Sequence, residues 1–423
     1  MASHVAFDLT HIVSRLPVTQ PSGIDKVDTA YLGHFAKRAR AGVHYGLFKP
    51  RCHDPQAIRR LAAFACGSRW VGSRRHHDTD FQRIYQGLTG LPWADPMASA
   101  RHRDDGFARR LAQVRWRLAW GTSEVLPQGA VYLNVAQHAF EYPGFFRWLD
   151  TRPDVKSVFL VHDLLPVDYP EYFKPGYDRL FRRRFDTIVR HARGLITTTQ
   201  VVADRVAREY RDRGLPLPPM RTVALPATLP ASDPTSLSDP LLAQAGYFLI
   251  VGTIEPRKNH LLLLNTWRQV IERGGTPPKL VIVGARGWEN EQVLDVLDHS
   301  AQLRPFLIEA QGIGDDALAT LMANARALLC PSFAEGYGLP VVEALAVGTP
   351  VVASDIAVFR EVSQGRALFR HPLDGPGWRS AIEALADRNS TISIEARAEV
   401  ARFKAPRWTR YFEDVDAFLA SLG

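Results

Sequence analysis

Short apolar runs alternate with longer stretches in which apolar residues return every three or four positions. Residues 5–9 (VAFDL) and 157–161 (SVFLV) are runs of the first kind in the first half. Residues 247–251, 280–283, 327–330 and 350–353 are their counterparts in the second. Runs of this length, between helical stretches, read as buried strands of parallel sheets. The helical spacing predicts helices over 25–40, 107–120, 178–193, from Asn259 onward, over 289–300, after Pro340, and over 407–422. A Pro-, Ser- and Asp-rich stretch, 226–240 (PATLPASDPTSLSDP), interrupts the pattern and reads as a linker. The expected organisation is α/β, with domains over 1–230 and 241–404 and a last helix within 405–423.

The 423 residues suffice for two such cores. Three cysteines, Cys52, Cys66 and Cys330, lack metal-ligand spacing and fit a reducing cytosol. MASHVAFDLTHIV lacks the pattern of a signal peptide, and no apolar run approaches the roughly 18 residues of a membrane span. Charge is divided: residues 1–224 carry 34 Lys and Arg against 21 Asp and Glu, whereas the remainder carries 18 against 23. A basic first half suits an anionic membrane or a phosphorylated acceptor, or simply a solvated surface. Nucleic acid is disfavoured, since no binding motif or stacking-aromatic pattern is present. In the 107–120 helix, Arg109, Arg110, Arg115 and Arg117 accompany apolar positions, so it fits a membrane surface or the domain's own sheet. His76-His77-Asp78 lacks the ligand spacing of a metal site, and no metal is expected.

Candidate chemistry gathers in three places. Between Pro331 and Asp355, Glu335 and Glu343 flank a loop with Gly336, Tyr337 and Gly338. Pro340 suits the first helical position and Gly348 the left-handed residue that ends the helix. The free N–H groups of that helix start would hold a phosphate, and the carboxylates would accept sugar hydroxyls. Gly252 to His260 (GTIEPRKNH) follows a strand directly. Lys258 offers a compact charge to a diphosphate, Arg257 a bidentate clamp, and Asn259 a cap for the next helix. His162-Asp163 ends the 157–161 strand, on the side where open α/β sheets bind ligands. Asp414-Val415-Asp416 imitates a metal-binding Asp-x-Asp but falls within a helix.

The Glu335–Glu343 stretch closely resembles the Glu-x7-Glu signature of glycosyltransferase family 4, the retaining GT-B enzymes, and the likeness extends from Tyr247 to Phe369. It implies a GT-B fold of two Rossmann-like domains facing across a cleft, with the last helix crossing back to the first domain. It places Glu335 against the transferred sugar and Glu343 on the donor ribose. GTIEPRKNH resembles the family's diphosphate motif, although Thr253 stands where many members carry Arg. VHDLLPVDYPEYF resembles the loop with a donor-facing histidine, here His162, which would orient the sugar. Gly23-Ile24 resembles the first-loop Gly-Ile near donor sugar and acceptor, with Val27 where an aromatic is frequent. LVIVGARGWENE, with Trp288, is similar to members that use GDP-mannose in bacterial surface polysaccharide assembly, and Gln311-Gly312-Ile313 lies where members meet the base. UDP- and dTDP-hexoses stay open.

The implied protein is a cytoplasmic transferase, peripheral at the inner face of the membrane. It moves a hexose, foremost mannose, onto a lipid-linked oligosaccharide or polysaccharide with retention of configuration. Lys258, Arg257 and the N–H groups of residues 336–338 would take the place of a metal, with no cofactor beyond the nucleotide-sugar donor. Two rivals share the fold: a nucleotide-sugar epimerase and a binding subunit without turnover.

Overall fold

The computed structural model describes residues 4–18, 21–45, 50–66, 79–92, 111, 126–229 and 234–422. The expected 107–120 helix, with Arg109, Arg110, Arg115 and Arg117, and the His76-His77-Asp78 run lie outside this set, Leu111 excepted.

Two doubly wound sheets carry the chain. The first holds β1 (Val5–Asp8), β2 (Ala41–Tyr45), β3 (Pro50–His53), β4 (Val131–Asn134), β5 (Lys156–Val161), β6 (Gly194–Thr197) and β7 (Met220–Thr222). Their order is β3-β2-β1-β4-β5-β6-β7, parallel throughout except for the β2–β3 pair. The second holds β8 (Phe248–Val251), β9 (Leu280–Val283), β10 (Leu307–Ala310), β11 (Leu328–Cys330), β12 (Val351–Ser354) and β13 (Leu368–Arg370), in the order β10-β9-β8-β11-β12-β13. In each sheet the order reverses once, between β1 and β4 and between β8 and β11. Such a switch point opens a crevice outside the carboxyl ends of the strands.

The apolar runs form these strands because both faces are covered. All residues of β1, β4, β9 and β12 are buried. Some helices differ from expectation at their ends. The helix expected over 25–40 runs from Gly23 to Phe35, because Ser22 and Asp25 form a capping box that starts it earlier. The 178–193 helix runs from Tyr177 to His191. Pro340 is the second residue of its helix, Leu339–Ala346, while Gly348 (φ +89°) terminates it as expected. The linker stretch is partly structured, with a helix from Pro240 to Ala245 capped by Asp239.

The domains are fastened at several points. The last helix, Trp408–Ser421, packs on the first domain. Tyr31 and Tyr411, both buried, share a hydrogen bond of 2.7 Å, and the His34 ring stacks on Phe412. Asp414 pairs with Arg221, and Asp416 with His34 and Arg38, so the Asp-x-Asp sequence is a fastening of this helix. Across the cleft, Lys26 pairs with Asp315 at 2.7 Å. Glu361 of the second domain accepts the N–H groups of Gln200 and Val201, the first residues of the Gln200–Asp212 helix. Among the described residues, no helix is long and apolar enough to cross a membrane.

Replacing Tyr411 by Phe strands the buried Tyr31 hydroxyl. Losing a partner in such a position costs about 1–3 kcal/mol, so urea unfolding of Tyr411→Phe is expected to show a lowered midpoint, with Tyr31→Phe/Tyr411→Phe recovering part of the loss.

Candidate active site

Lys258, Glu335 and Arg257 meet at the β8/β11 switch point. The strand β8 delivers Gly252, and the chain turns through Pro256–Lys258 before the His260–Glu272 helix. The strand β11 delivers Glu335 and the glycine loop. Glu335 Oε1 lies 2.6 Å from Lys258 Nζ, its Oε2 lies 2.5 Å from the Arg257 guanidinium, and Ser332 Oγ donates to Oε1 at 2.8 Å. Burial alone would push this carboxyl up. The two cations outweigh that and hold it at about 2. Burial likewise works against the Arg257 charge, but Glu335 and Glu255 beside it more than offset that cost and keep it fully protonated.

Arg257 therefore does not present a clamp to phosphate, as expected from its place in the motif. Its guanidinium is committed to Glu335, to Glu255 at 2.5 Å and to the Ala334 carbonyl at 2.9 Å, and its backbone carbonyl accepts from the Phe333 N–H. It is a positioning residue that locks the two loops together. Lys258 is the freer cation, with three N–H donors of which Glu335 takes one. Its stem runs beneath Gly252, which has a φ of +140°. A β-carbon there would sit a tight 3.2 Å from Lys258 Cε, and the backbone conformation itself favours glycine. Thr253, next in line, packs beside Gly284 and Gly287 of the loop after β9.

Asn259 corrects another expectation. It stands at the helix start in the left-handed region (φ +56°) and makes no cap with its side chain. Its amide instead donates to the carbonyls of Pro331 and Pro372, tying three loops together.

The first domain reaches the same place. His162 follows the last residue of β5, and its Nε2 lies 2.9 Å from the Val135 carbonyl. A carbonyl only accepts, so Nε2 carries the proton and Nδ1 keeps its lone pair. Burial pushes the ring down to about 4, so His162 is neutral at ordinary pH. Asp163, its neighbour, has a part that sequence reasoning did not assign. A β-carbon on Gly336 would sit 2.5 Å from Asp163 Oδ2, so only glycine lets the loops approach. Burial raises the Asp163 carboxyl, against the pull of the Leu165 N–H and Arg257. Gly23 also approaches closely, 2.9 Å from a β-carbon position to Leu339 Cδ1. Gly338 (φ +91°) precedes the Leu339–Ala346 helix and is pressed against Phe359.

Two expected donor residues have protein partners. Glu343 is buried and accepts from the Thr228 hydroxyl at 2.5 Å and from the Thr228 N–H. The Tyr337 hydroxyl donates to the Leu225 carbonyl at 2.6 Å. Trp288 donates to the Tyr172 carbonyl, and the Gln311 N–H to Asp80. Val27 is buried in the core. The site residues expected from both halves thus border one interdomain cleft. The partners of Glu343 and Tyr337 lie in the segment joining the domains, too far along the chain for any local pattern to signal.

Residues 240–365 match the family described as glycosyl transferases group 1. The matched residues lie in the second domain. It is 38% identical over 225 residues to the serotype-specific mannosyltransferase WbdA of Escherichia coli, covering 50% of this chain and 28% of that one. It is 29% identical over 236 residues to the O-antigen chain mannosyltransferase RfbU of Salmonella typhimurium, covering 55% and 62%. The chain thus spans less than two thirds of the length of these curated relatives. Among solved structures, sucrose-phosphate synthase from Thermosynechococcus elongatus superposes with a TM-score of 0.53 at 18% identity, over 78% of this chain and 82% of that one. The N-terminal domain of Candida albicans trehalose-6-phosphate phosphatase superposes at 0.56 and 12% identity, over 100% and 97%. These likenesses and the two sheets make the fold GT-B.

The depressed Glu335 carboxyl links stability to pH. Its ordinary value is 4.5 and its folded value about 2, so its ion pairs contribute fully above about pH 4.5 and are lost as pH falls through 2. The shift corresponds to about 3 kcal/mol. Urea titrations from pH 7 to pH 2 are expected to show wild type more stable than Glu335→Gln at neutral pH, with the difference closing below pH 4.5.

Proposed function

We propose that this protein is a retaining glycosyltransferase that moves a hexose, foremost mannose from GDP-mannose, onto a lipid-linked oligosaccharide or polysaccharide in bacterial surface glycan synthesis. The observation that carries the reading is the Lys258–Glu335–Arg257 cluster, buried at the switch point of a group 1 domain. The relatives over this stretch, named as O-antigen and serotype-specific mannosyltransferases, support mannose.

In this reading the donor's diphosphate lies between Lys258 and the start of the Leu339–Ala346 helix. As the bond from the sugar's anomeric carbon to the phosphate oxygen breaks, negative charge grows on the diphosphate. Lys258 and the N–H groups of residues 336–338 would stabilise that charge. Glu335, kept ionised by Arg257, accepts from a sugar hydroxyl. The bare Nδ1 of His162 accepts another and fixes the ring. The acceptor hydroxyl attacks from the face the diphosphate leaves, and its proton passes to a phosphate oxygen. Glu343 would exchange Thr228 for the donor ribose. No metal enters this scheme. The basic first half would face an anionic membrane at the cytoplasmic side, where the acceptor's lipid is anchored.

Lys258→Ala is expected to weaken GDP binding by about 2–3 kcal/mol, the scale of a charge-assisted hydrogen bond. Wild-type turnover of GDP-mannose with a lipid-linked acceptor is expected to persist in EDTA. Tight UDP or dTDP binding without GDP binding would move the donor to another base. Restoration by magnesium of an activity lost to chelator would remove the metal-free scheme. Donor binding without transfer or isomerisation would favour a binding subunit.

Membrane attachment has its own test. Sedimentation with anionic vesicles is expected at low salt and to fade at high salt, where the Debye length falls to about 3 Å at 1 M. Protein left in the supernatant with anionic vesicles at low salt would sink this part of the reading.

A further inference from the structure

A second concave site lies at the opposite end of the first domain. A groove of about 550 Å³ opens beside His4 and Val5, where β1 begins. The cleft lies beyond the other end of that strand, so the groove is separate from the donor site. Three segments build it: the turn after the Gly23–Phe35 helix, the first turns of the Pro55–Ala65 helix, and the end of the Trp408–Ser421 helix.

Its walls carry Lys37, Arg38, Arg40 and Arg59 against one carboxylate, Asp416. Asp416 is already engaged by His34 and Arg38. Among the described residues, Lys37, Arg40 and Arg59 have no ion-pair partner, and all three are exposed at the rim. The start of the Pro55–Ala65 helix also borders the groove, with its dipole already met by the capping Asp54 carboxylate. Beneath the cations the groove backs onto the packed core at Phe35 and Leu419, both buried. Four cations gathered around a cavity repel one another, and an anion brought among them relieves that repulsion. Arginine forks match phosphate oxygens in pairs.

We infer that this groove binds a phosphate-bearing anion, with the phosphate between Arg40, Arg59 and Lys37. The phosphate can come from a dissolved phosphate ester or from a lipid headgroup.

The test uses the full chain and inorganic pyrophosphate as probe, by titration calorimetry at about 0.15 M salt. Pyrophosphate also suits the cleft, so it is titrated against wild type, Lys258→Ala and the double variant Arg40→Glu/Arg59→Glu. Lys258→Ala is expected to retain groove binding. The charge reversal is expected to weaken that binding about tenfold or more, with GDP affinity in the cleft and the melting temperature unchanged. Arg40→Lys/Arg59→Lys is expected to recover part of it. A second arm uses phosphatidylglycerol and phosphatidylcholine vesicles. Retention on the former alone, released by pyrophosphate, identifies a headgroup as the source, and pyrophosphate binding without vesicle retention identifies a dissolved ester. Loss of all pyrophosphate binding in Lys258→Ala, or an unchanged affinity in the charge reversal, overturns the inference. GDP titration of the same variants reports on the cleft independently.

Discussion

A buried carboxylate with two cations on it governs this structure. Taking Glu335, Arg257 and Lys258 out of water carries a large desolvation cost, offset only where geometry is tight and the remaining polar atoms have partners. Here Ser332, Glu255 and the Ala334 carbonyl supply partners, leaving the buried Nε of Arg257 without one. The loops after β8 and β11 are therefore held to one arrangement, and the switch point acquires a fixed charge pattern before any ligand enters. Removing one member leaves the others buried and unmatched, so the three side chains depend on one another.

The first domain meets this cluster through close approaches at two glycines. Gly336 admits Asp163, and Gly23 admits Leu339, at distances where a β-carbon would overlap. Together with the Lys26–Asp315 pair, these approaches bring His162 and the glycine loop to one cleft. The glycines are thus conditions of assembly between domains as much as turn residues.

Much of this was legible in the sequence. Strand runs bounded by helical periodicity identified two parallel sheets, because burial on both faces leaves the strands almost wholly apolar. Lys258 and Glu335 were legible because each lies in the loop that follows an apolar run, at the ligand-binding edge of a sheet. What escaped was long-range or conformational. Nothing local says that Arg257 turns inward, since the Ala334 carbonyl it holds lies 77 residues along the chain and Glu335 comes directly after. Nor does a motif reveal that Thr228 occupies Glu343, or that Asn259 enters the left-handed region and so points its amide away from the helix it precedes.

The Glu361 contact gives the cleft an unusual kind of closure. The first three N–H groups of the Gln200–Asp212 helix have no partner within the helix. Thr199 serves one from its own domain, and Glu361 serves the other two from across the cleft. Separation of the domains would thus hand two amides of the first domain back to water. The secondary structure of one domain is completed by a side chain of the other. The helix becomes a local gauge of interdomain distance: its first turn frays as the domains part and firms as they meet, at a cost of order 1 kcal/mol per cap.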